Sequence, residues 1–92
     1  MPKYLVESRR SGAGGMTRTA LQQLIERANL NLREMSGAET QWIECFVGAD
    51  AIYWIYLAPD EVMVREHARR CRLSVDRITE IQVTLDPTYP EE

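Results

Sequence analysis

The sequence lacks most of the features that reveal a function directly. Its 92 residues include two cysteines, but these do not form a Cys-x-x-Cys pair, so a zinc or thiol-redox motif is not indicated. No apolar run is long enough for a signal peptide or a membrane span, and we expect a cytoplasmic protein without a membrane partner. The net charge of −3 provides no basic stripe, which argues against nucleic acid as a partner.

Two catalytic motifs are also missing. Residues 9–16 are rich in glycine, but Gly15-Met16-Thr17 replaces the Gly-Lys-Ser/Thr of a phosphate-binding loop. We interpret this segment as a flexible lid over the open face of a sheet. The single histidine, His67, has no recognisable Ser-His-Asp setting around it.

The first half of the chain predicts a strand, a helix and another strand. Residues 3–8 form the first strand. Apolar residues recur at helical spacing from Leu21 to Met35, which predicts a helix of five turns. Thr17 is its expected N-cap, and Gly37 is placed to end it.

The second half predicts a hairpin, a helix and a last strand. Residues 42–57 form two strands joined by a turn at 48–50. Pro59 opens the second helix, since proline suits a first helical turn. After a short extra turn at 75–78, residues 81–85 form the last strand, and the tail at 88–92 is expected to fray.

The resulting order, β-α-β-β-α-β, is that of a ferredoxin-like α+β fold. It places a four-stranded antiparallel sheet against two helices that share one face, with the first and third strands in the centre. The length of 92 residues suits a single domain spanning the chain.

The strands are apolar on both faces, so both faces need cover. The set assigned to the helices is Tyr4, Val6, Ile43, Cys45, Val47, Tyr53, Ile55, Leu57, Val83 and Leu85. The set assigned to the open face is Leu5, Glu7, Trp42, Glu44, Phe46, Ile52, Trp54, Tyr56, Gln82 and Thr84. Leaving these aromatic rings in water would cost several kcal/mol. We therefore expect a homodimer, in which a second sheet covers the first and closes a dimeric α/β barrel.

The open face is also where we look for a site. Glu7 and Glu44 share it and could act as acid, base or metal ligand, or could pair with an arginine across the dimer. His67 lies on the second helix and could be a metal ligand, a proton donor, or a structural histidine hydrogen-bonded to a strand end or to the last loop. The candidate ligand-binding side chains are Trp42, Trp54 and Tyr56, although such aromatic residues more often form the core of an interface.

The segment from Tyr53 to Ile78, with its Ala58-Pro-Asp-Glu and Arg65-Glu-His-Ala runs, resembles a small bacterial family. That family was long classed as a domain of unknown function and is typified by an actinomycete nickel-binding protein. Tyr4-Leu-Val-Glu, Gly12-Ala-Gly and Trp42 extend the resemblance over nearly the whole chain. The resemblance implies a ferredoxin-like fold, a dimer and possible binding of nickel or another divalent transition metal.

The chain departs from the family at several positions. Arg72-Leu73-Ser74 stands where members often have Gly-Phe-Pro, Trp54 where they have cysteine, and Glu44-Cys45 where the nickel-binding type has His-Ser. A carboxylate in place of an imidazole implies weaker and less nickel-selective binding.

If the chain binds a metal, the expected ligands are His67, Glu7 and Glu44. His67 belongs to the helix layer and the two glutamates to the open face, so one mononuclear site cannot easily use all three. We expect either a carboxylate-only site on the sheet face or a His67 site at a subunit edge.

Three function classes remain open. The first is a binding protein for a metal or small ligand, and the second is a cofactor-free enzyme of the dimeric α/β-barrel type, such as a monooxygenase or isomerase. In the third, the dimer interface fills the sheet face and leaves no site. A cavity of a few hundred Å³ lined by Glu7, Glu44, Trp54 and Tyr56 would favour the first two.

Overall fold

A computed structural model describes residues 1–35 and 39–89. Its elements are β1 (Lys3–Arg9), a 3₁₀ turn (Ala13–Gly15), α1 (Arg18–Glu34), β2 (Gln41–Val47), β3 (Ala51–Leu57), α2 (Glu61–Arg70) and β4 (Arg77–Ile81). The strands form one antiparallel sheet in the order β2-β3-β1-β4. The ferredoxin-like α+β fold is confirmed, with β1 and β3 central as predicted. Gly37 and residues 90–92 of the predicted frayed tail lie outside the described residues.

Side-chain caps fix where both helices begin. Thr17 Oγ1 accepts a hydrogen bond from the Ala20 N–H at 3.1 Å, as the sequence predicted. Asp60 Oδ1 accepts from the Met63 N–H at 3.0 Å, so Pro59 lies one residue before the cap. Each cap satisfies an amide that the first helical turn leaves without a partner. Within the described residues, neither helix is long and apolar enough to cross a membrane.

The core lies between the sheet and the two helices. Val6 and Trp54 pair across β1 and β3 and point toward the helices, where they join Leu24 of α1 and Val64 of α2. Trp54 has no exposed surface. Because side chains alternate along a strand, this pairing decides which half of β3 is buried.

The faces assigned to β3 were therefore wrong. Ile52, Trp54 and Tyr56 lie beneath the helices, each with 0% exposure. Tyr53, Ile55 and Leu57 point the other way and are only half-buried. The strand is apolar on both faces, so its sequence pattern did not distinguish them, and the register with β1 did.

Trp42 was also assigned to the wrong face. The β2–β3 register shifts between Trp42 and Glu44, so Ile43 is an extra residue in β2. A bulge of this kind changes the alternation by one position. Trp42 consequently packs against the core with Cys45, whereas Glu44 points outward as expected.

The last strand lies earlier than the pattern predicted. β4 is Arg77–Ile81 and residues 73–76 are irregular chain, so the short turn expected at 75–78 is wrong. Val83 and Leu85 follow the strand as irregular chain, with exposures of 59% and 68%. Ile81, Val83 and Leu85 do alternate in the sequence, but β1 pairs with residues 77–81.

The glycine-rich loop does not cover the open face. The Gly14 N–H donates to the Ala49 carbonyl at 2.9 Å and the Gly12 N–H to Asp50 Oδ1 at 2.9 Å. Ala13 is part of the core cluster. The loop is therefore attached to the β2–β3 turn, and the interpretation as a lid was wrong.

Candidate functional site

The sheet face turned away from the helices, here called the outer face, carries a mixture of apolar and charged side chains. Strand pairing arranges them in three rows, each taking one residue from β2, β3, β1 and β4 in that order. The rows are Gln41-Leu57-Lys3-Ile81, Glu44-Ile55-Leu5-Thr79 and Phe46-Tyr53-Glu7-Arg77. Phe46 is 51% exposed. The described residues leave this apolar surface uncovered within one chain.

A cavity of about 230 Å³ opens on the outer face. Glu7 lies in it directly between its cross-strand partners Tyr53 and Arg77. The remaining lining residues are Leu5 and Thr79. The site thus combines a carboxylate, a guanidinium, a phenol and a hydroxyl over an aliphatic floor, a set that can hold a small polar ligand by hydrogen bonds and charge.

Glu44 does not line this cavity. It lies on β2 beside Ile55, whereas Glu7 lies on β1, with β3 between them. Two strand spacings separate their backbones by roughly 10 Å. Each carboxylate is therefore on the face that the sequence predicted, but one chain does not bring the two together.

The three aromatic candidates form a cluster on the opposite face of the sheet. The rings of Trp42 and Trp54 meet edge to face with centroids 5.4 Å apart, and Trp54 and Tyr56 are 6.4 Å apart. Trp42 Nε1 donates to Asn29 Oδ1 of α1 at 3.2 Å. These rings hold the helices on the sheet and do not face the cavity on the outer face.

His67 is fully buried, and both of its ring nitrogens have partners. Nε2 lies 2.9 Å from the Ala28 carbonyl oxygen, and Nδ1 lies 2.7 Å from Tyr56 Oη. A carbonyl only accepts, so Nε2 carries the proton, and the neutral ring accepts at Nδ1 from the Tyr56 hydroxyl. A metal bound here would have to displace one of these two oxygens.

Burial sets the protonation states around this histidine. Desolvation lowers the pKa of His67, since a charged imidazole is costly in the core, and the Ala28 hydrogen bond only partly opposes it. Desolvation raises the pKa of the Tyr56 hydroxyl and, to a lesser degree, its neighbours Cys71 and Cys45 add to this rise. At neutral pH the pair is an uncharged hydrogen bond that joins β3 to α2.

Both cysteines are free thiols on the helix side of the sheet. Burial raises the pKa of Cys45 to about 11, so it stays protonated at neutral pH. Cys71 is buried, with its Sγ 3.4 Å from His67 Nε2 and 3.4 Å from Asn31 Nδ2. Cys71 therefore acts as a small buried hydrophobe, and Cys45 packs partly buried against the core.

Sequence reasoning missed three residues of the cavity, namely Tyr53, Arg77 and Thr79. Tyr53 was assigned to the other face, and the last strand was placed after Arg77 and Thr79. Their alternation with Ile78 and Glu80 was a visible signal, but it became useful only once β4 was aligned with β1.

The described residues contain no group of three or more His, Cys, Asp or Glu side chains that could hold a metal ion. The single histidine is on one side of the sheet and the two glutamates are on the other. Residues 1–35 and 39–89 of one chain therefore do not fit a complete nickel site.

Comparison with known proteins identifies the family. A family profile described as "Nickel responsive protein SCO4226-like" matches residues 4–81. The chain belongs to the SCO4226-like family. The fold is similar to that in the crystal structure of SCO4226 from Streptomyces coelicolor A3(2), with a TM-score of 0.72 and 19% identity over 90% of this chain and 99% of that one. A search of curated proteins found no match.

The family confirms the resemblance seen in the sequence. The profile covers β1 through β4, so the family's fold and this chain's elements coincide. At 19% identity the structural likeness supports the fold alone. The family name associates SCO4226-like proteins with a response to nickel, and that association is separate from the geometry described above.

Proposed function

We propose that the protein is a small homodimeric binding protein whose outer face holds a divalent transition metal such as nickel, or a small ligand. The observation that carries this proposal is the cavity of about 230 Å³, which places Glu7 on an otherwise uncovered apolar sheet face. Membership of a family named for its response to nickel supports a metal as the ligand.

The arrangement of side chains in the three rows of the outer face supports a dimer in which the outer faces of two chains pack together. With a two-fold axis parallel to the strands, β1 of one subunit lies over β3 of the other, and β4 lies over β2. Glu7 then faces a Tyr53 hydroxyl, Arg77 faces the ring of Phe46, and Leu5 faces Ile55. These are pairings of hydrogen bond, cation–π and apolar type.

The other simple arrangement is less favourable. A two-fold axis across the strands at the middle row would place Glu44 over Glu44 of the partner, and like charges that face each other destabilise an interface. The charge pattern therefore favours the axis parallel to the strands.

The same axis supports a metal site shared by two subunits. Glu7 lies on a central strand, so the two Glu7 carboxylates occupy one row on either side of the axis. Glu44 lies one row away on the edge strand β2, so it adds negative charge near the site. Carboxylate oxygens bind divalent metals, although with less preference for nickel than imidazole has. The site proposed here is thus incomplete in one chain and completed by its partner.

Sedimentation tests the dimer. We expect about twice the chain mass at micromolar concentration, because the apolar outer face is covered on association. Ile55→Glu places a charge in the centre of this face and should give a monomer. Val62→Glu is the matched control, since Val62 is 66% exposed on α2. A wild-type monomer would overturn the dimer.

Isothermal titration with nickel, zinc and copper tests the site, together with elemental analysis of the purified protein. Glu7→Gln should weaken metal binding most and Glu44→Gln less, whereas Glu26→Gln on the exposed part of α1 is the control. His67→Gln tests the alternative site at a subunit edge. Metal affinity unchanged in Glu7→Gln and Glu44→Gln would show that the carboxylate ligands are wrong.

A further inference from the structure

A second, smaller cleft lies between the end of β1 and the first half of α1. Its volume is about 110 Å³, which is room for roughly three or four water molecules at about 30 Å³ each. The residues that line it are Arg10, Ala20, Gln23, Leu24 and Arg27. It belongs to neither the cavity on the outer face nor the His67 network.

The local structure explains why these side chains converge. Ala20, Gln23, Leu24 and Arg27 follow the spacing i, i+3, i+4, i+7 and so share one face of α1. Leu24 is buried and forms the floor. Arg10 follows β1 directly, and its backbone N–H donates to the Asp50 carbonyl at 3.0 Å, so its backbone is fixed where its side chain lines the cleft.

The cleft has positive charge without a matching carboxylate. Among the described residues, neither Arg10 nor Arg27 forms a salt bridge, and no Asp or Glu lines the cleft. The nearby acidic groups have other partners: Asp50 accepts from a backbone N–H of the glycine-rich loop at 2.9 Å, and Asp76 accepts from the Arg9 N–H at 2.7 Å.

We propose that this cleft binds a phosphate group. Each guanidinium presents a planar fork of N–H donors that matches two oxygens of a phosphate, and the cleft is lined by two such arginines from different elements. The Gln23 amide adds a further donor. Binding would also relieve the repulsion between two like charges that share a small cleft.

The phosphate can be the free ion or part of a phosphate monoester. Both offer the same oxygens to Arg10 and Arg27, and the open side of the cleft allows a substituent to extend into solvent. The experiment therefore compares inorganic phosphate with phenyl phosphate. Tighter binding of phenyl phosphate identifies a monoester, whereas equal or weaker binding identifies the free ion.

Titration with inorganic phosphate, followed by two-dimensional NMR, tests the proposal, with sodium chloride at matched ionic strength as the salt control. We expect saturable shifts at the backbone amides around Gln23 and at the Nε–H groups of Arg10 and Arg27. Arg10→Gln and Arg27→Gln should each weaken binding about tenfold or more. Arg33→Gln removes the same charge from the exposed end of α1 and should leave binding unchanged.

All three arginines are exposed, so these variants should keep the fold, which the same spectra check. Equal shifts with sodium chloride, or unchanged phosphate affinity in both Arg10→Gln and Arg27→Gln, would overturn the proposal. So would an equal loss in Arg33→Gln, because it would show a response to net charge alone.

Discussion

The two faces of the sheet differ in how completely their side chains are covered. On the helix side, Trp54, Tyr56 and His67 have 0% exposure, and the histidine uses both ring nitrogens. On the outer face, Ile55 and Tyr53 of the same strand keep part of their surface exposed, because the described helices lie on the other side of the sheet. One face of β3 is therefore buried in the core, and its other face is partly exposed.

This difference separates the side chains that stabilise the fold from those that are available for binding. The aromatic rings that first suggested a ligand pocket are part of the core, so they are poor candidates for binding. The outer face has smaller side chains, a cavity and the charges of Glu7 and Arg77. A surface that is apolar, charged and uncovered indicates an interaction site.

The largest expected effect on stability comes from truncating one of two neighbouring residues of β3, which lie on opposite faces of the sheet. Trp54→Ala should lower the free energy of unfolding by about 3–5 kcal/mol, because it leaves a cavity in the core. Tyr53→Ala, on the other face, should cost less than half as much. Urea denaturation measures both, and Trp54→Phe gives a milder variant if Trp54→Ala fails to fold. Equal losses at the two positions would contradict the assignment of faces.

The second effect concerns the buried hydrogen bonds of the helix side. His67→Gln should lower the free energy of unfolding by about 2–4 kcal/mol, because Tyr56 Oη and the Ala28 carbonyl lose well-placed partners. Tyr56→Phe is the control, since it removes only one of these bonds and should cost less. Denaturation at pH 7.5 measures both.

The same histidine should make stability depend on pH. Burial lowers its pKa in the folded protein below the ordinary value of 6.5, so below about pH 6.5 the unfolded chain binds more protons. The stabilisation is complete above that pH and is lost as the pH falls toward the folded pKa, with a slope of at most about 1.4 kcal/mol per unit. His67→Gln should flatten the profile between pH 7.5 and 5, and a wild-type profile already flat there would contradict it.

The third effect tests how the glycine-rich loop is attached. A Cβ on Gly14 would lie 3.1 Å from Ala49 Cα, whereas a Cβ on Gly15 meets nothing within 4 Å. Gly14→Ala should therefore lower the free energy of unfolding by about 1–3 kcal/mol, and Gly15→Ala should be nearly neutral. If the loop were a lid free of the β2–β3 turn, both variants would behave alike in thermal denaturation.

The smallest effect is expected on the outer face. Phe46→Thr should change the free energy of unfolding by less than about 1 kcal/mol when measured at dilutions that give a monomer, since a cross-strand pair contributes no more than this. At higher concentration the same variant should weaken association. A large loss of stability in the monomer would mean that the outer face is already packed within one chain.

The sequence was sufficient for the elements and their order. Helical spacing identified α1 and Thr17 its N-terminal cap, and the apolar segment at 42–57, divided by the turn at 48–50, identified β2 and β3. These features depend on neighbours in the chain, which is why they can be read without the fold. The family resemblance, carried by residues such as Ala58-Pro-Asp-Glu, was likewise visible and is confirmed.

The sequence did not determine which face of β3 is buried or where β4 begins. Ile52 to Leu57 is apolar on both faces, so the buried face depends on the pairing of Val6 with Trp54. The extra residue at Ile43 likewise decides the face of Trp42 on β2. These are contacts between distant parts of the chain. They placed Trp54 and Tyr56 in the core and Tyr53 and Arg77 beside Glu7.

The residue type therefore determined which chemistry each side chain could perform, and its position in the fold determined whether it can reach a ligand. A carboxylate at Glu7 and an imidazole at His67 were both reasonable ligands in the sequence. Tertiary structure placed one in an open cavity and enclosed the other between Tyr56 and Ala28, because strand register and helix packing decide which side chains meet water.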